Sequence, residues 1–315
     1  MDPTELRLLI EDSGFFDTEY YLARNSDVAA SAYNPFDHYL RWGGSENRAP
    51  SEKFDPEYYA EQCVLAGIDQ GNCLLHYLTE GRAAGLYPTP RDHALQRTGM
   101  VAVTLAQKFE SWGRDCEFGI VQRKLGAEPL DLFRFSDPTP EVLVDLIKSD
   151  FAGYGENCYV KLEESRPRRE WRIFDPDTGT SRHSHIFEGD MSQEMIHKVA
   201  LMWGRLLREK TVCEIIAGEK IYVMKASDGG LSENEMVELA KALRSKGPAW
   251  LLWVAPGTPV GHCEIAADGL LRARIDRLCL RTRETEFSLV GWLKVMCGAW
   301  NALWETAPTG IRRPL

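Results

Sequence analysis

The stretch Lys220–Val254, KIYVMKASDGGLSENEMVELAKALRSKGPAWLLWV, decides the fold of this chain. Lys220-Ile221-Tyr222-Val223-Met224-Lys225 is an apolar run of strand length, and Ala249 to Val254 is another. Between them Ser232 to Ser245 has helical periodicity, and Ser232 with Glu235 forms the Ser-x-x-Glu signature of a capping box. Strand, helix and strand in this order predict a βαβ unit with parallel strands. Working outward, His262 to Ala266 and Leu270 to Ile275 read as further strands, and Leu289 to Trp304 as a closing helix. On the N-terminal side, Val142 to Phe151 and Ser192 to Lys210 read as helices. Tyr159 to Leu162 and Trp171 to Phe174 alternate as strands, with Asp175-Pro176-Asp177-Thr178-Gly179 as a turn. Residues 91–315 are therefore expected to form an α/β domain with a mixed or parallel sheet.

The first 90 residues have a different organisation. Phe16-Asp17 and Tyr20-Tyr21 recur as Phe54-Asp55 and Tyr58-Tyr59. Asn34 recurs as Asn72, His38-Tyr39-Leu40 as His76-Tyr77-Leu78, and Gly43 as Gly81, all at an offset of 38. One common offset is register rather than composition, and a period of this length marks a stacked supersecondary unit. Each unit reads as two short helices, with Asp near the first N-cap and a glycine closing the second helix. His38 and His76 occupy equivalent places, which favours buried hydrogen-bonding partners over metal ligands. Pro88-Thr89-Pro90 marks the boundary, so an all-helical two-repeat domain (1–90) is expected before the α/β domain.

Composition narrows the function classes. The net charge is −10 over 315 residues, and residues 1–90 alone hold 15 acidic and 6 basic side chains. An acidic repeat domain repels nucleic acid and anionic lipid, and suits a protein partner. No apolar run reaches membrane-spanning length, and the acidic start Met1-Asp2-Pro3-Thr4-Glu5 lacks the order of a signal peptide, so a cytoplasmic location is expected. The eight cysteines form no Cys-x-x-Cys pair, so neither a metal nor a cofactor is expected.

The chemistry-bearing segment is Ser111-Trp112-Gly113-Arg114-Asp115-Cys116-Glu117-Phe118-Gly119, in which Cys116 precedes a helix read as Glu117 to Leu125. Unpaired backbone N–H groups and the macrodipole at a helix start favour the thiolate, which is the nucleophile. The alternative is a small apolar residue packed beneath the helix. His183 and His185 lie two residues apart, and on a strand both would point to one face. Asp228 follows the 220–225 strand and would stand at the C-terminal edge of a parallel sheet, where α/β sites gather. Each of these also has a plain reading as a surface polar residue. The tryptophans at 250, 253, 292, 300 and 304 are expected in the core rather than on a sugar ring.

Two resemblances follow. The Phe-Asp-x-x-Tyr-Tyr … Asn-Pro … His-Tyr-Leu … Gly … Gly-Arg pattern over residues 14–88 resembles repeats found beside bacterial glycosyltransferase and polysaccharide-related domains. The second copy carries Cys73 where the first has Pro35. The resemblance implies a bacterial setting near surface-glycan metabolism and supplies no catalytic residue. The Ser-x-Gly-x-x-Cys pattern of Ser111, Gly113 and Cys116 resembles the opening motif of a bacterial papain-like cysteine peptidase family. Lys124-Leu125-Gly126, Ala127 to Phe135, His185-Ile186-Phe187, Arg205 to Arg208 and Tyr222 to Lys225 extend that likeness across residues 109–255. It implies Cys116 as nucleophile, His185 (or His183) as the base, and Asp228 as the group that orients the imidazole. Papain-type enzymes carry an oxyanion-hole glutamine where this chain has Phe109 to Trp112, so backbone N–H groups of the Cys116 turn are the expected donors. The βαβ order is not that of a papain fold. The functions to separate are thus a cysteine-dependent hydrolase or acyl transferase acting on a peptide or glycan, a non-catalytic interaction module in glycan biosynthesis, and a carbohydrate-active enzyme with no nucleophilic cysteine.

Overall fold

A computed structural model describes residues 3–69, 71–164, 168–225, 230–279 and 286–305. The chain divides into two compact units, Met1–Ala102 and Val103–Leu315.

The first unit is all helical. After α1 (Pro3–Ser13), the first repeat supplies α2 (Thr18–Arg24), α3 (Ser26–Ala29) and α4 (Pro35–His38), and the second supplies α5 (Pro56–Ala66) and α6 (Cys73–His76). The caps repeat with the sequence: Asp17 and Asp55 accept from the N–H of Tyr20 and Tyr58, and Asn34 and Asn72 cap α4 and α6. Each repeat closes on itself, because the Asp17 N–H donates to Pro50 O (3.0 Å) and the Asp55 N–H to Pro88 O (2.9 Å). The two histidines have one role. His38 Nδ1 pairs with the Tyr21 hydroxyl at 3.0 Å, and His76 Nδ1 with the Tyr59 hydroxyl at 2.6 Å.

The glycines end their helices as the sequence reading expected, but by another mechanism. Gly43 and Gly81 are the last residues of π-helical turns, Tyr39–Gly43 and Tyr77–Gly81, that continue α4 and α6. A Cβ at either position would strike the hydroxyl of Tyr21 or Tyr59, so glycine is required for close approach rather than for a left-handed cap.

The unit boundary also falls later than Pro88–Pro90. Helix α7 (Pro90–Thr98) belongs to the first unit through a third tyrosine–histidine pair. The Tyr58 hydroxyl bonds His93 Nδ1 at 2.5 Å, and the His93 ring stacks on Tyr87 at 4.2 Å.

The second unit begins with α8 (Ala102–Ala106) and β1 (Phe109–Ser111), followed by α9 (Glu117–Lys124) and α10 (Pro140–Lys148). A three-stranded antiparallel sheet comes next: β2 (Tyr159–Glu163), β3 (Glu170–Asp175) and β4 (Thr180–Phe187). The Asp175 to Gly179 turn forms as expected, with Asp175 Oδ1 accepting from the N–H groups of Asp177 and Thr178. Helix α11 (Gln193–Ala217) runs seven residues past Lys210 and ends on Gly218 in the left-handed region at φ 68°. Then come β5 (Ile221–Lys225), α12 (Glu233–Lys246), β6 (Trp250–Pro256), β7 (Cys263–Ala267), β8 (Leu270–Ile275) and α13 (Leu289–Glu305).

The fold class is α/β, with a mixed main sheet of order β1-β5-β6-β8-β7. β1, β5, β6 and β8 are parallel, and β7 pairs antiparallel to β8. The βαβ unit β5–α12–β6 carries the complete capping box at Ser232 and Glu235. Strand alternation sends Tyr222 and Met224 into the core with Trp112, Leu239 and Leu251, and leaves Lys225 at the end of β5 on the opposite face. Among the described residues no helix is long and apolar enough to cross a membrane.

Candidate functional site

The site is built where β1 and β5, neighbours in the sheet, both end. The β1–β5 ladder continues one residue beyond β1, with the Trp112 N–H donating to Val223 O at 2.9 Å. The chain then turns through Gly113 to Asp115 into α9. Asp115, rather than Cys116, ties down the helix start, because its Oδ1 accepts the Glu117 N–H at 3.0 Å. Cys116 occupies the N-cap position and makes no side-chain capping bond.

Lys225, the last residue of β5, is fully buried. Its Nζ lies 2.6 Å from Asp115 Oδ2 and also bonds Glu117 Oε2. Glu117 is buried too, and it accepts from the indole N–H of Trp292 at 2.8 Å and from the Cys279 N–H at 3.1 Å. The two carboxylates that flank Cys116 in the chain thus share one buried ammonium, at the carboxyl end of parallel strands where α/β proteins place their chemistry. Taking three charges out of water is costly, and hydrophobic residues of similar volume often serve stability as well or better. Such clusters are candidate functional sites for that reason.

His183 and His185 lie on β4, and their rings face each other at 6.1 Å with 21° between planes, as the two-residue spacing anticipated. Neither is hydrogen-bonded to Cys116. Instead both converge on the buried Glu170: His183 Nδ1 lies 2.9 Å from Oε2, and the His185 N–H donates to Oε1 at 2.7 Å. Burial pushes the Glu170 carboxyl up. The hydrogen bonds from His183 and the His185 backbone, with the charge of both rings, outweigh it and hold the carboxyl down at about 2. Burial, working against the Glu170 charge, moves the His185 imidazole below its ordinary range.

His185 has a positive φ of 56°, and its ring packs edge-on to Phe135 at 4.5 Å, itself at φ 63°. Phe135 in turn lies against Gly119, one helical turn beyond Cys116 on the same face of α9. Strained backbone of this kind survives only where its surroundings over-determine it. Asp228 lies outside the described residues. The structure therefore gathers the two histidines around Glu170, and joins Asp115 and Glu117, the chain neighbours of Cys116, through Lys225; Phe135 packs between the His185 ring and Gly119 of α9.

Sequence reasoning missed Glu170, Lys225 and the two acids beside Cys116. Asp115 and Glu117 were visible as its immediate neighbours, whereas Glu170 stands among arginines at 168, 169 and 172 and reads there as an ordinary surface acid. No protein-family model matches this sequence, and comparison with curated proteins finds no match.

The depressed carboxyl has a measurable consequence. Its contribution to stability is complete above the ordinary carboxylate value of 4.5 and is lost as pH falls toward 2. Glu170→Gln is expected to cost about 1–3 kcal/mol at pH 7 and to leave stability unchanged near pH 2. Urea unfolding at the two pH values checks this.

Proposed function

We propose that the second unit is a cysteine-dependent hydrolase or acyl transferase acting on an amide or acyl bond of a peptide or glycan, with Cys116 as nucleophile. The observation that carries this reading is the place of Cys116. It stands at the start of α9, at the carboxyl edge of the parallel strands, between the two carboxylates that grip Lys225. In the proposed reaction the thiolate forms an S–C bond to the substrate carbonyl. N–H groups at the start of α9 receive the developing oxyanion. The imidazole that took the thiol proton returns it to the departing amine or alcohol, and water or an acceptor then cleaves the thioester. Glu170 takes the orienting part expected of Asp228, with His183 as the imidazole it holds.

A second reading rests on a specific observation. Cys116 is only 7 % exposed, and neither histidine is bonded to it, which favours a non-catalytic interaction module whose ion cluster is structural. Thiol labelling resolved by residue separates the two. With the intact protein and a small iodoacetamide probe, Cys116 is expected to label with a pH-dependent rate exceeding those of the other buried thiols at 63, 73, 158, 279 and 297. Cys213, which is exposed, is the internal standard. Labelling of Cys116 no faster than those buried thiols would falsify the enzymatic reading.

A further inference from the structure

Helix α11 has two apolar faces, and only one holds it to its own domain. Ile196, Leu207 and Ile215 are among the side chains buried on the inner face. On the other side Met195, Val199, Met202, Leu206, Cys213 and Ile216 follow alternating spacings of four and three residues, with Glu209 filling the one gap in the series. At 3.6 residues per turn the two faces are centred roughly 150° apart. The outer one is open to solvent: Met195 is 50 %, Met202 51 %, Leu206 49 % and Ile216 57 % exposed, and Cys213 is exposed as well. A mean spacing of 3.5 is the seam of a coiled coil, not the broader stripe a helix uses to lie on a globular core. The stripe is about 32 Å long, broken once by Glu209, and an exposed apolar strip of this extent marks an interaction surface.

We propose that this stripe pairs with the same stripe of a second copy of this chain, antiparallel, across a two-fold axis that sets Met202 of one copy against Leu206 of the other. An isologous contact requires a self-complementary patch, and a heptad seam is one. Glu209 decides the direction. In a parallel, in-register pair it would meet its own copy inside an apolar seam, where like charges are costly. In the antiparallel pair it lies level with Val199 and beside Lys198 of the second copy. Both charges lie on the outer surface, Lys198 at 66 % and Glu209 at 65 % side-chain exposure; each pairs one turn away within α11, with Glu194 and Arg205, and the contact would exchange or share those exposed pairs. The same register sets Met195 level with Cys213 of the second copy.

Sedimentation equilibrium of the full chain tests the proposal, with circular dichroism confirming that each variant is folded. A dimer is expected. Leu206→Glu or Met202→Lys, both at exposed positions, should weaken it at least about tenfold. Lys198→Glu should weaken it, and Lys198→Glu combined with Glu209→Lys should restore it. Met195→Cys should give an interchain crosslink to Cys213 under mild oxidation. A chain that stays monomeric up to about 100 μM, or a dimer unaffected by Leu206→Glu, overturns the seam. A dimer that Leu206→Glu dissociates but that gives no Met195→Cys crosslink to Cys213 overturns the antiparallel arrangement.

Discussion

Lys225→Met is expected to destabilise the second unit by about 3–5 kcal/mol, the cost of leaving buried charges without their counter-ion. The lysine is wholly inside the protein, and its ammonium holds Asp115 at 2.6 Å as well as Glu117. Methionine fills nearly the same volume, so packing loss is a small part of the effect. The acids then remain together at one helix start with less to offset their repulsion. Glu117→Gln in the Lys225→Met background should recover part of the loss, since it removes one negative charge and keeps an oxygen to accept from Trp292. Urea midpoints for the two single variants and the double variant give the coupling. A Lys225→Met protein within about 0.5 kcal/mol of the parent would mean that water already screens the cluster, and the buried charged site would have to be given up.

The second large effect belongs to the repeat unit. Gly81→Ala is expected to cost about 2–4 kcal/mol, combining the strain of overpacking with the loss of a part-buried hydrogen bond. A Cβ there would strike the Tyr59 hydroxyl, and Tyr59 is fully buried, so the ring has nowhere to retreat. The displaced hydroxyl would also leave His76. Tyr59→Phe removes the struck atom, so Gly81→Ala with Tyr59→Phe should be more stable than Gly81→Ala alone. Thermal unfolding of the three variants checks the order. If Gly81→Ala alone melted at the parent temperature, close approach would not explain the glycine. Gly43 and Tyr21 repeat the arrangement in the first copy and should respond the same way.

Much of the architecture was readable from local pattern. The offset of 38 announced two copies of one helical unit, and Asp17, Asp55, Asn34 and Asn72 cap where their chemistry places them. The Ser232–Glu235 capping box and its two flanking strands identified β5–α12–β6. What was misread depended on distant partners. Gly43 and Gly81 do end their helices, but not as left-handed caps; what demands glycine there is a tyrosine one helix away. The Pro88–Pro90 punctuation looked like a domain edge, yet His93 beyond it answers Tyr58 before it. Only the chain path could reveal that a tract after the prolines completes the repeat unit.

The candidate site shows the same division more sharply. Cys116 at a helix start and the paired faces of His183 and His185 follow from residues adjacent in sequence, because capping and strand alternation act over a few positions. That Lys225 closes on Asp115 and Glu117 follows from β1 lying beside β5 across more than 100 intervening residues, which no local period encodes. That Glu170 claims both histidines depends likewise on the register of β3 against β4. Backbone preference and apolar periodicity are short-range properties and were written in the chain. Which charges meet away from water is settled only when the sheet aligns its strands, since the energy of such a meeting exists only after both partners are buried.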